Sequence, residues 1–552
     1  MNIQDLQEQW DLIVVGGGIT GAGIFREAAR MGMKVLLVER MDYAWGTSSR
    51  SSKLVHGGLR YLKEGRLLLT KASVEERERL LKEAPGMIEL LGFLMPIYKD
   101  QSPGKTTISA GLTLYDMMAF EKQHKFHDAP EFSMLLPHVK QEDLIGGFHF
   151  FDAQVDDARL VLRLIFDAVE AGATAVNYTS VTEIQRNAEG DVIGVIIEDT
   201  ESHQTRTLST GAVINATGAW AEALHPSPDP KHHLRPLRGS HLIFPHWALP
   251  VAQAVSIIHP DDNRPVFLIP WEGAVLFGTT DLDHDQDISL EPAITEEEVS
   301  YLMKALETFF PSLDITLDHC ISAFAGIRPV LSEGILPPSE ESRDHVVWID
   351  KGLVTITGGK LTTFRRMAFE TLDAAEPFLP SDKPVDRHIP VFTPAPDIPD
   401  DDYGLSRQTW RRLYGRYGEA ARDLMKAAAP EDLVTIPGTH TLWAELPFVA
   451  KREQVKHLDD LLLRRVRIGM LIREGGKAHL KRIRQLCEPS LLWDKERWTI
   501  EIEKYLGLVK RNYAIPFEEE EIPVEEKVSF VRIVWMKVKQ IIQTTVSKKR
   551  ES

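Results

Sequence analysis

Cysteine is nearly absent from this chain of 552 residues: only Cys320 and Cys487 occur. They form no CxxC, no metal-ligating spacing and no disulfide framework, so a reducing, cytosolic compartment is expected. Long apolar runs are missing too. None reaches the ~18 residues of a membrane span, and no secretory leader is expected before Asp11. Positive charge is in deficit. A formal net charge of −17 speaks against general nucleic-acid binding, which needs a basic footprint. In such a setting the sequons at Asn177 and Asn215 are chance matches. No internal repeat of solenoid period is visible. What is present is ordinary for globular domains, 43% hydrophobic and 26% charged. At ~150 residues per domain there is room for two or three.

The most informative stretch is DLIVVGGGITGAGIFREAARMGMKVLLVER, Asp11 to Arg40. Leu12–Val15 reads as a buried strand, Ile19–Met31 as a helix and Val35–Val38 as a second buried strand ending in Glu39. Strand, glycine turn, helix, strand and acid make one dinucleotide-binding βαβ unit. Gly16 allows the tight turn, Gly18 lets a pyrophosphate approach the backbone, and Gly21 lets helix and strand pack closely. The helix N-terminus offers free N–H groups to phosphate. Glu39 can accept both ribose hydroxyls and disfavours a 2′-phosphate, so NADP is not expected. FAD and NAD both fit this unit, and the loop does not choose between them.

Further along, Gly46–Leu62 is a small-residue, basic loop. Ala72–Leu91 is expected to be helical, and Asp152–Ala171 an amphipathic helix with an acidic start that suits its dipole. Val181–Glu198 reads as a hairpin around Glu189-Gly190-Asp191. Gly211–Trp220 reads as a buried strand running into a glycine turn, and Pro236–Pro245 and Val266–Asp281 as strands of a second sheet. Val354–Arg366 returns to strand, double glycine and helix. A proline-rich stretch, 391–402, is a linker candidate, and helical sequence follows. The order is best explained by a discontinuous nucleotide domain interrupted by a mainly β substrate domain. Asp152, Asp156 and Asp157 could be read as a metal cluster, but acids at a helix start are commoner, so no metal is expected.

GGGITGAG, SSKLVHGGLRYL, DDARLVL, NATGAW, RGSH, GTTD, GIRP and TGGKLTTFRR occur in that order. In this the chain resembles the flavin-dependent (aerobic, respiratory) glycerol-3-phosphate dehydrogenases, within the D-amino-acid-oxidase-like FAD superfamily. The resemblance is strong over Asp11 to Ala368 and looser over about Asp402 to Tyr513. HGGLRYL with GGKLTT is specific to the group, whereas the glycine loop is widely shared. The implied fold is α/β (α+β overall): a Rossmann-like FAD-binding domain (1–80, 150–230 and 322–380), an interleaved mainly β substrate domain (81–149 and 231–321), the linker 391–402, a C-terminal helical domain (403–526) and a basic tail (527–552). The implied chemistry is oxidation of sn-glycerol 3-phosphate to dihydroxyacetone phosphate on non-covalent FAD, with electrons passed to a membrane quinone. A sister group uses oxygen, and its usual insertion has no obvious room here. An FAD enzyme acting on an amino or hydroxy acid is a rival, and a flavin-based redox sensor is a non-enzymatic one.

Such a reaction needs a hydride acceptor, a base for the hydroxyl proton and a clamp for a dianionic phosphate. Arginine is the natural clamp, being planar, always charged and bidentate. The family's positions for this are Arg328 and Arg343, with Arg60 and Tyr61 as further substrate contacts. Arg328 follows apolar AFAGI and precedes proline, which suggests a strand end facing the core, where an arginine needs an anion. His241 is the candidate base, since an imidazole titrates near neutrality. Lys360, opening a helix after Gly358 and Gly359, would stabilise negative charge on reduced flavin or contact substrate. His56, Gly57, Gly58, Ser48, Ser52, Gly218 and Leu361 are expected at the cofactor. Thr279 and Thr280 are second-tier contacts, Thr280 as a substrate ligand, because strand threonines are commonly just β-formers.

At the end of the chain six glutamates crowd Glu518 to Glu526, and then the charge reverses sign. On a helix, Val531, Val534, Trp535, Val538, Ile541, Ile542 and Val546 would form one stripe with Arg532 and Lys539 largely opposite. That is the pattern of a helix in an anionic membrane interface, or of one packed on protein. Residues 528–552 are therefore expected to hold the protein peripherally on the inner face of the cell membrane. A homodimer is an expected assembly.

Overall fold

The computed structural model describes residues 2–59, 65–119, 124–225, 233–332, 344–380, 386–394 and 403–516. Arg60, Tyr61, Arg343 and the tail from 517 onward lie outside the described residues.

Leu12–Val15 is buried on both faces and sits near the middle of a six-stranded sheet, as a near-continuous apolar run requires in a parallel sheet. Across the sheet the strands run His345–Asp350, Leu353–Gly358, Val213–Asn215, Leu12–Val15, Val35–Val38 and Thr174–Val176. All neighbours are parallel except His345–Asp350, an antiparallel edge. The strands come from four distant stretches, so this sheet is discontinuous in sequence. Helix Ile19–Arg30 packs against helices Phe364–Ala375 and Asp157–Glu170. Gly23 makes the first contact possible: a Cβ there would lie 2.9 Å from the Phe364 ring.

A second, ten-stranded sheet is built mainly from residues between these pieces. Its long strands are Ile88–Tyr98, Leu144–Val155, His233–Pro245 and Ser322–Ser332. The last two pair antiparallel from His233↔Ser332 to Ile243↔Ser322. Ser322–Ser332 therefore lies in the large sheet, not in the nucleotide domain where the boundary at 322 had it. A three-stranded sheet, Thr179–Arg186, Val192–Asp199 and Thr205–Ser209, extends the expected hairpin by one strand.

Three expected elements differ. The helix expected over Ala72–Leu91 is Leu67–Glu83, and Ile88 already begins a strand. Pro85 disfavours helix at Ala84, and Gly86 turns the chain at φ +81°. The helix expected over Asp152–Ala171 is Asp157–Glu170, with Asp156 capping the Arg159 N–H. Residues 152–155 finish the preceding strand, pairing with Ile88–Leu91. Val266–Asp281 is two strands, Pro265–Trp271 and Ala274–Gly278, turned at Gly273 (φ +94°). In addition, Val391 and Phe392, placed in the linker, are buried in the nucleotide-domain core. Glu83 accepts from the Val391 N–H at 2.6 Å.

Residues 403–514 are mainly helical, and their apolar side chains, Trp410 and Trp498 among them, join the core of the large sheet. They also bring buried charge. A π-helical turn, Asp460–Arg465, aims two consecutive arginines at one carboxylate. Arg464 donates to Asp42 at 2.5 Å and Arg465 forks onto both of its oxygens at 2.5 and 2.8 Å. Burial would raise the Asp42 carboxyl, but the two guanidiniums outweigh it and hold it at about 2. Nearby, His457 stands between Glu201, in the turn joining Val192–Asp199 to Thr205–Ser209 (3.0 Å), and Glu501 of helix Lys495–Leu508 (3.1 Å).

Candidate active site

A cavity of about 400 Å³ opens at the carboxyl ends of the parallel strands, the place where open α/β sheets bind ligands. Gly16, Gly18, Glu39, Ser48, Gly218, Gly358, Gly359, Lys360 and Leu361 all line it. Gly16 has φ +110°, and a Cβ there would stand 2.6 Å from the Ala216 carbonyl oxygen. Gly21 is behind the cavity: a Cβ would lie 1.9 Å from the Gly16 carbonyl oxygen, so only glycine permits this helix–turn packing. Gly18 precedes the helix without a side-chain cap, and the Ser48 hydroxyl accepts from the Ile19 N–H at 2.9 Å. The Glu39 carboxylate accepts from Gly17 N–H (2.6 Å) and Met41 N–H (2.8 Å), leaving a lone pair on each oxygen for a ribose. Burial pushes its carboxyl upward against those two bonds. A Cβ on Gly218 would face open space. Trp220, which sequence reasoning passed over, also lines the cavity, and its buried Nε1 has no partner among the described residues. A bare pyrophosphate-sized turn, an acid for a ribose and an unpaired indole N–H fit the nucleotide part of FAD.

Lys360 does not open an α-helix directly. It precedes a 3₁₀ turn, Leu361–Thr363, from which helix Phe364–Ala375 continues, and its ammonium lies 3.5 Å from the Ser73 hydroxyl. His56, Gly57 and Gly58 lie off this cavity. Gly57 is packed against Tyr115, whose hydroxyl accepts from the Gly57 N–H at 2.9 Å. The His56 carbonyl accepts from Thr362.

A second group of residues adjoins the cavity, since Ser51 and Pro329 line it and Ser52 and Arg328 are their neighbours in sequence. His241 and Arg328 lie on the paired strands His233–Pro245 and Ser322–Ser332. His241 is buried, stacked on Phe324 at 4.7 Å with 9° between the rings. Its Nε2 is 2.9 Å from the Ser52 hydroxyl, and its Nδ1 has no partner among the described residues. The expected titration near neutrality does not hold. Burial first, then the Arg328 and Lys53 cations, press the imidazole well below its ordinary range, which favours the neutral ring.

Arg328 is likewise not at a strand end. It is in mid-strand and partly exposed, and its anion is internal: Nη1 donates to Asp281 at 2.8 Å and Nη2 to the Thr279 hydroxyl at 2.9 Å. Asp281 also pairs with Arg264 at 3.1 Å, so two cations meet on one carboxylate. Gly239 makes room for the guanidinium, since a Cβ would lie 2.3 Å from Nη2. Thr280 is corrected from substrate ligand to scaffold. Its hydroxyl donates to buried Glu298 at 2.6 Å and accepts from the Ser240 N–H at 2.8 Å. Glu298 also accepts from Ser240 and Arg238, which fixes the strand carrying His241.

Asp152 stands in one network, and Asp156 and Asp157 share another through Arg467. Asp152 meets Arg77 and Tyr115, Asp156 meets Arg416, and Asp157 meets Lys53 and Arg467. Lys53 was missed from sequence although it stands inside SSKLVHGG. Its signal was the apolar pair Leu54-Val55 that follows and marks the segment as buried. Desolvation, then Arg467, pulls its ammonium down to about 7 against the pull of Asp157.

Comparison with known proteins bears on this arrangement. The family described as "FAD dependent oxidoreductase" matches residues 11–365, and that described as "C-terminal domain of alpha-glycerophosphate oxidase" matches 397–498. An aerobic glycerol-3-phosphate dehydrogenase of Staphylococcus saprophyticus is 34% identical over 488 residues, covering 84% of this chain and 87% of its own. One from Staphylococcus aureus is 34% identical over 484 residues, with 83% and 86% covered. The structure of a Bacillus halodurans glycerol-3-phosphate dehydrogenase complexed with FAD superposes with a TM-score of 0.71 at 27% identity, covering 91% and 95%. An FAD-bound L-α-glycerophosphate oxidase from Mycoplasma pneumoniae shares the fold, with a TM-score of 0.57 at 20% identity over 71% of this chain and 100% of its own.

Proposed function

The chain belongs to the FAD-dependent oxidoreductases, and on that premise we propose that it oxidises sn-glycerol 3-phosphate to dihydroxyacetone phosphate and passes the electrons to a membrane quinone. Two relatives of 34% identity that carry that dehydrogenase name support the substrate. The observation that carries the chemistry is a buried imidazole and a guanidinium on two paired strands beside the nucleotide cavity.

FAD, when bound, supplies the acceptor for the hydride leaving the carbinol carbon. The nucleotide cavity holds it through Gly16, Gly18, Glu39 and Gly218. His241 takes the hydroxyl proton, and being neutral it needs no prior deprotonation at physiological pH. Arg328, with Arg60, Tyr61 and Arg343, holds the dianionic phosphate. Asp281 fixes the plane of the Arg328 fork before substrate arrives, which lowers the ordering cost of binding. Lys360 offers a cation to negative charge that develops during reduction. The tail 528–552 keeps the protein on an anionic membrane surface, close to a lipid-soluble acceptor.

The test is anaerobic mixing of the yellow holoprotein with sn-glycerol 3-phosphate. Rapid bleaching is expected, reversed slowly by air and quickly by a quinone analogue. Fast recovery in air with peroxide would make the protein an oxidase, and no bleaching would remove the substrate. Co-sedimentation with anionic liposomes should fall when 528–552 are deleted, and equal binding would remove the membrane role of the tail.

A further inference from the structure

We propose that Arg467, carried by the C-terminal helical region, is a positioning residue for the His241 site: it holds residues 49–53 in the one arrangement that brings the Ser52 hydroxyl to the imidazole. This rests on the reading of His241 as proton acceptor.

Arg467 is buried and sits in the left-handed region at φ +63°, a conformation uncommon outside glycine. Its Nη1 donates to the Leu463 carbonyl at 2.7 Å, which fixes the fork. Its Nη2 donates to the Ser49 carbonyl and to Asp157 Oδ1, both at 2.8 Å. Apart from the Ala158 N–H of its own helix, which donates to Oδ1 at 2.8 Å, the other donors to Asp157 belong to the same short turn. Lys53 Nζ donates to both carboxylate oxygens (2.9 and 2.8 Å) and to the Ser49 carbonyl (2.6 Å). The Ser51 N–H and hydroxyl donate to Oδ2 at 3.0 and 2.7 Å. Lys53 is itself left-handed at φ +60°. Residues 49, 51 and 53 are thus each tied to Asp157 or Arg467, and Ser52, between two tied neighbours, has its hydroxyl 2.9 Å from His241 Nε2.

The charges show why the guanidinium is needed. Lys53 and Ser51 tie the turn to helix Asp157–Glu170, but neither ties it to the C-terminal helical region. Arg467 does so, and Asp156, 3.5 Å from its Nε, balances the added cation. Burial works against the Asp156 charge, but Arg467 and Arg416 outweigh it and hold the carboxyl at about 2. Deleting the fork leaves the Ser49 carbonyl to Lys53, removes the one bond that ties Asp157 to the C-terminal helical region, and frees the turn to shift. A shift of ~1 Å in a catalytic group can cost up to ~100-fold in rate.

The experiment compares full-length holoproteins of wild type, Arg467→Lys, Ser52→Ala and the double variant. Anaerobic stopped-flow with sn-glycerol 3-phosphate gives the limiting rate of flavin reduction and the apparent substrate dissociation constant, with FAD content and thermal midpoint checked for each. Lysine keeps the charge but cannot bridge two acceptors in a fixed plane. We expect each single change to slow the limiting rate by about tenfold, with substrate dissociation altered less than about twofold. The double variant should be no slower than the slower single one, as residues acting through one contact are non-additive. Multiplied effects, or slowing by Arg467→Lys that appears only in substrate affinity, overturn the inference. A silent Ser52→Ala overturns the inference, since the hydroxyl is then not needed at the imidazole, whereas a wild-type rate in His241→Gln would remove the His241 reading itself; a slow Ser52→Ala with a silent Arg467→Lys means that only the role of Arg467 fails. If Arg467→Lys does not fold, Ser51→Ala removes one of the Asp157 donors and should slow reduction in the same direction by a smaller factor. A silent Ser51→Ala then counts against the proposal.

Discussion

The glycine end of the parallel sheet and the seam between that sheet and the C-terminal helices solve opposite problems. At the first, side chains are pared away. Gly16, Gly18 and Gly218 expose backbone, Gly21 lets the helix pack behind them, and Glu39, the one acid lining the cavity among the described residues, is held by two N–H groups. At the second, charge is packed in. Asp42, Arg464, Arg465, Asp460, Asp157 and Arg467 are all buried and each has a partner within 3 Å. The first region leaves hydrogen-bonding capacity unspent for a ligand. The second uses nearly all of its capacity internally, so it gives register rather than affinity, a role buried ionic groups can serve when fully paired. His241, the proposed proton acceptor, has one ring nitrogen 2.9 Å from Ser52, in the turn that Asp157 holds.

Asp42→Ala should break the contrast most severely. It leaves Arg464 and Arg465 buried without their shared anion, and removing one partner of a buried pair costs ~3–5 kcal/mol. Loss of most folded protein, or a large fall in the urea midpoint of the holoprotein, is the expected result. Gly21→Ala comes next. A methyl 1.9 Å from the Gly16 carbonyl must push the turn outward, and FAD should dissociate at least tenfold more readily while urea stability falls by ~1–3 kcal/mol, as for an overpacked core. Comparable FAD content after gel filtration would sink that expectation. The smallest effect sharpens the comparison through pH. Burial disfavours the His457 cation, but hydrogen bonds to Glu201 and Glu501 outweigh it and raise its pKa to about 10. A histidine raised above its unfolded value of ~6.5 contributes stability fully present below that pH, and lost as pH rises through about 10. Because the ring is partly exposed, ~1 kcal/mol is a sufficient figure. The thermal midpoint of the wild type should thus converge on that of His457→Gln between pH 7 and 10, and parallel curves would refute the assignment.

The βαβ unit was legible because every part of it is local. Leu12–Val15, Ile19–Arg30 and Val35–Val38 fall within one residue of expectation, and the acid follows the second strand. The double-glycine return at Gly358 and Gly359 was readable for the same reason. What failed depended on partners far away. Ile88–Leu91 has a helix-compatible pattern, and only pairing with residues 152–155 makes it a strand. Arg328 was expected to need an external anion because nothing near it in sequence shows that Asp281 fills that need. The Arg467 contact spans more than 300 residues to Asp157 and has no local signature.

The order in which these pieces are joined along the chain has a consequence for biosynthesis. Asp42 and its partner Arg465 are 423 residues apart. At ~5–20 residues per second a ribosome takes roughly 20–80 s to cover that distance. Throughout that interval the nucleotide motif has emerged, but the far side of its sheet, His345–Asp350 and Leu353–Gly358, is delayed and its buried aspartate lacks Arg465. A nascent chain of this design cannot complete its first domain first. It must be kept from aggregating until its last domain arrives, and premature termination before Arg464 should yield a product that is held by chaperones or degraded.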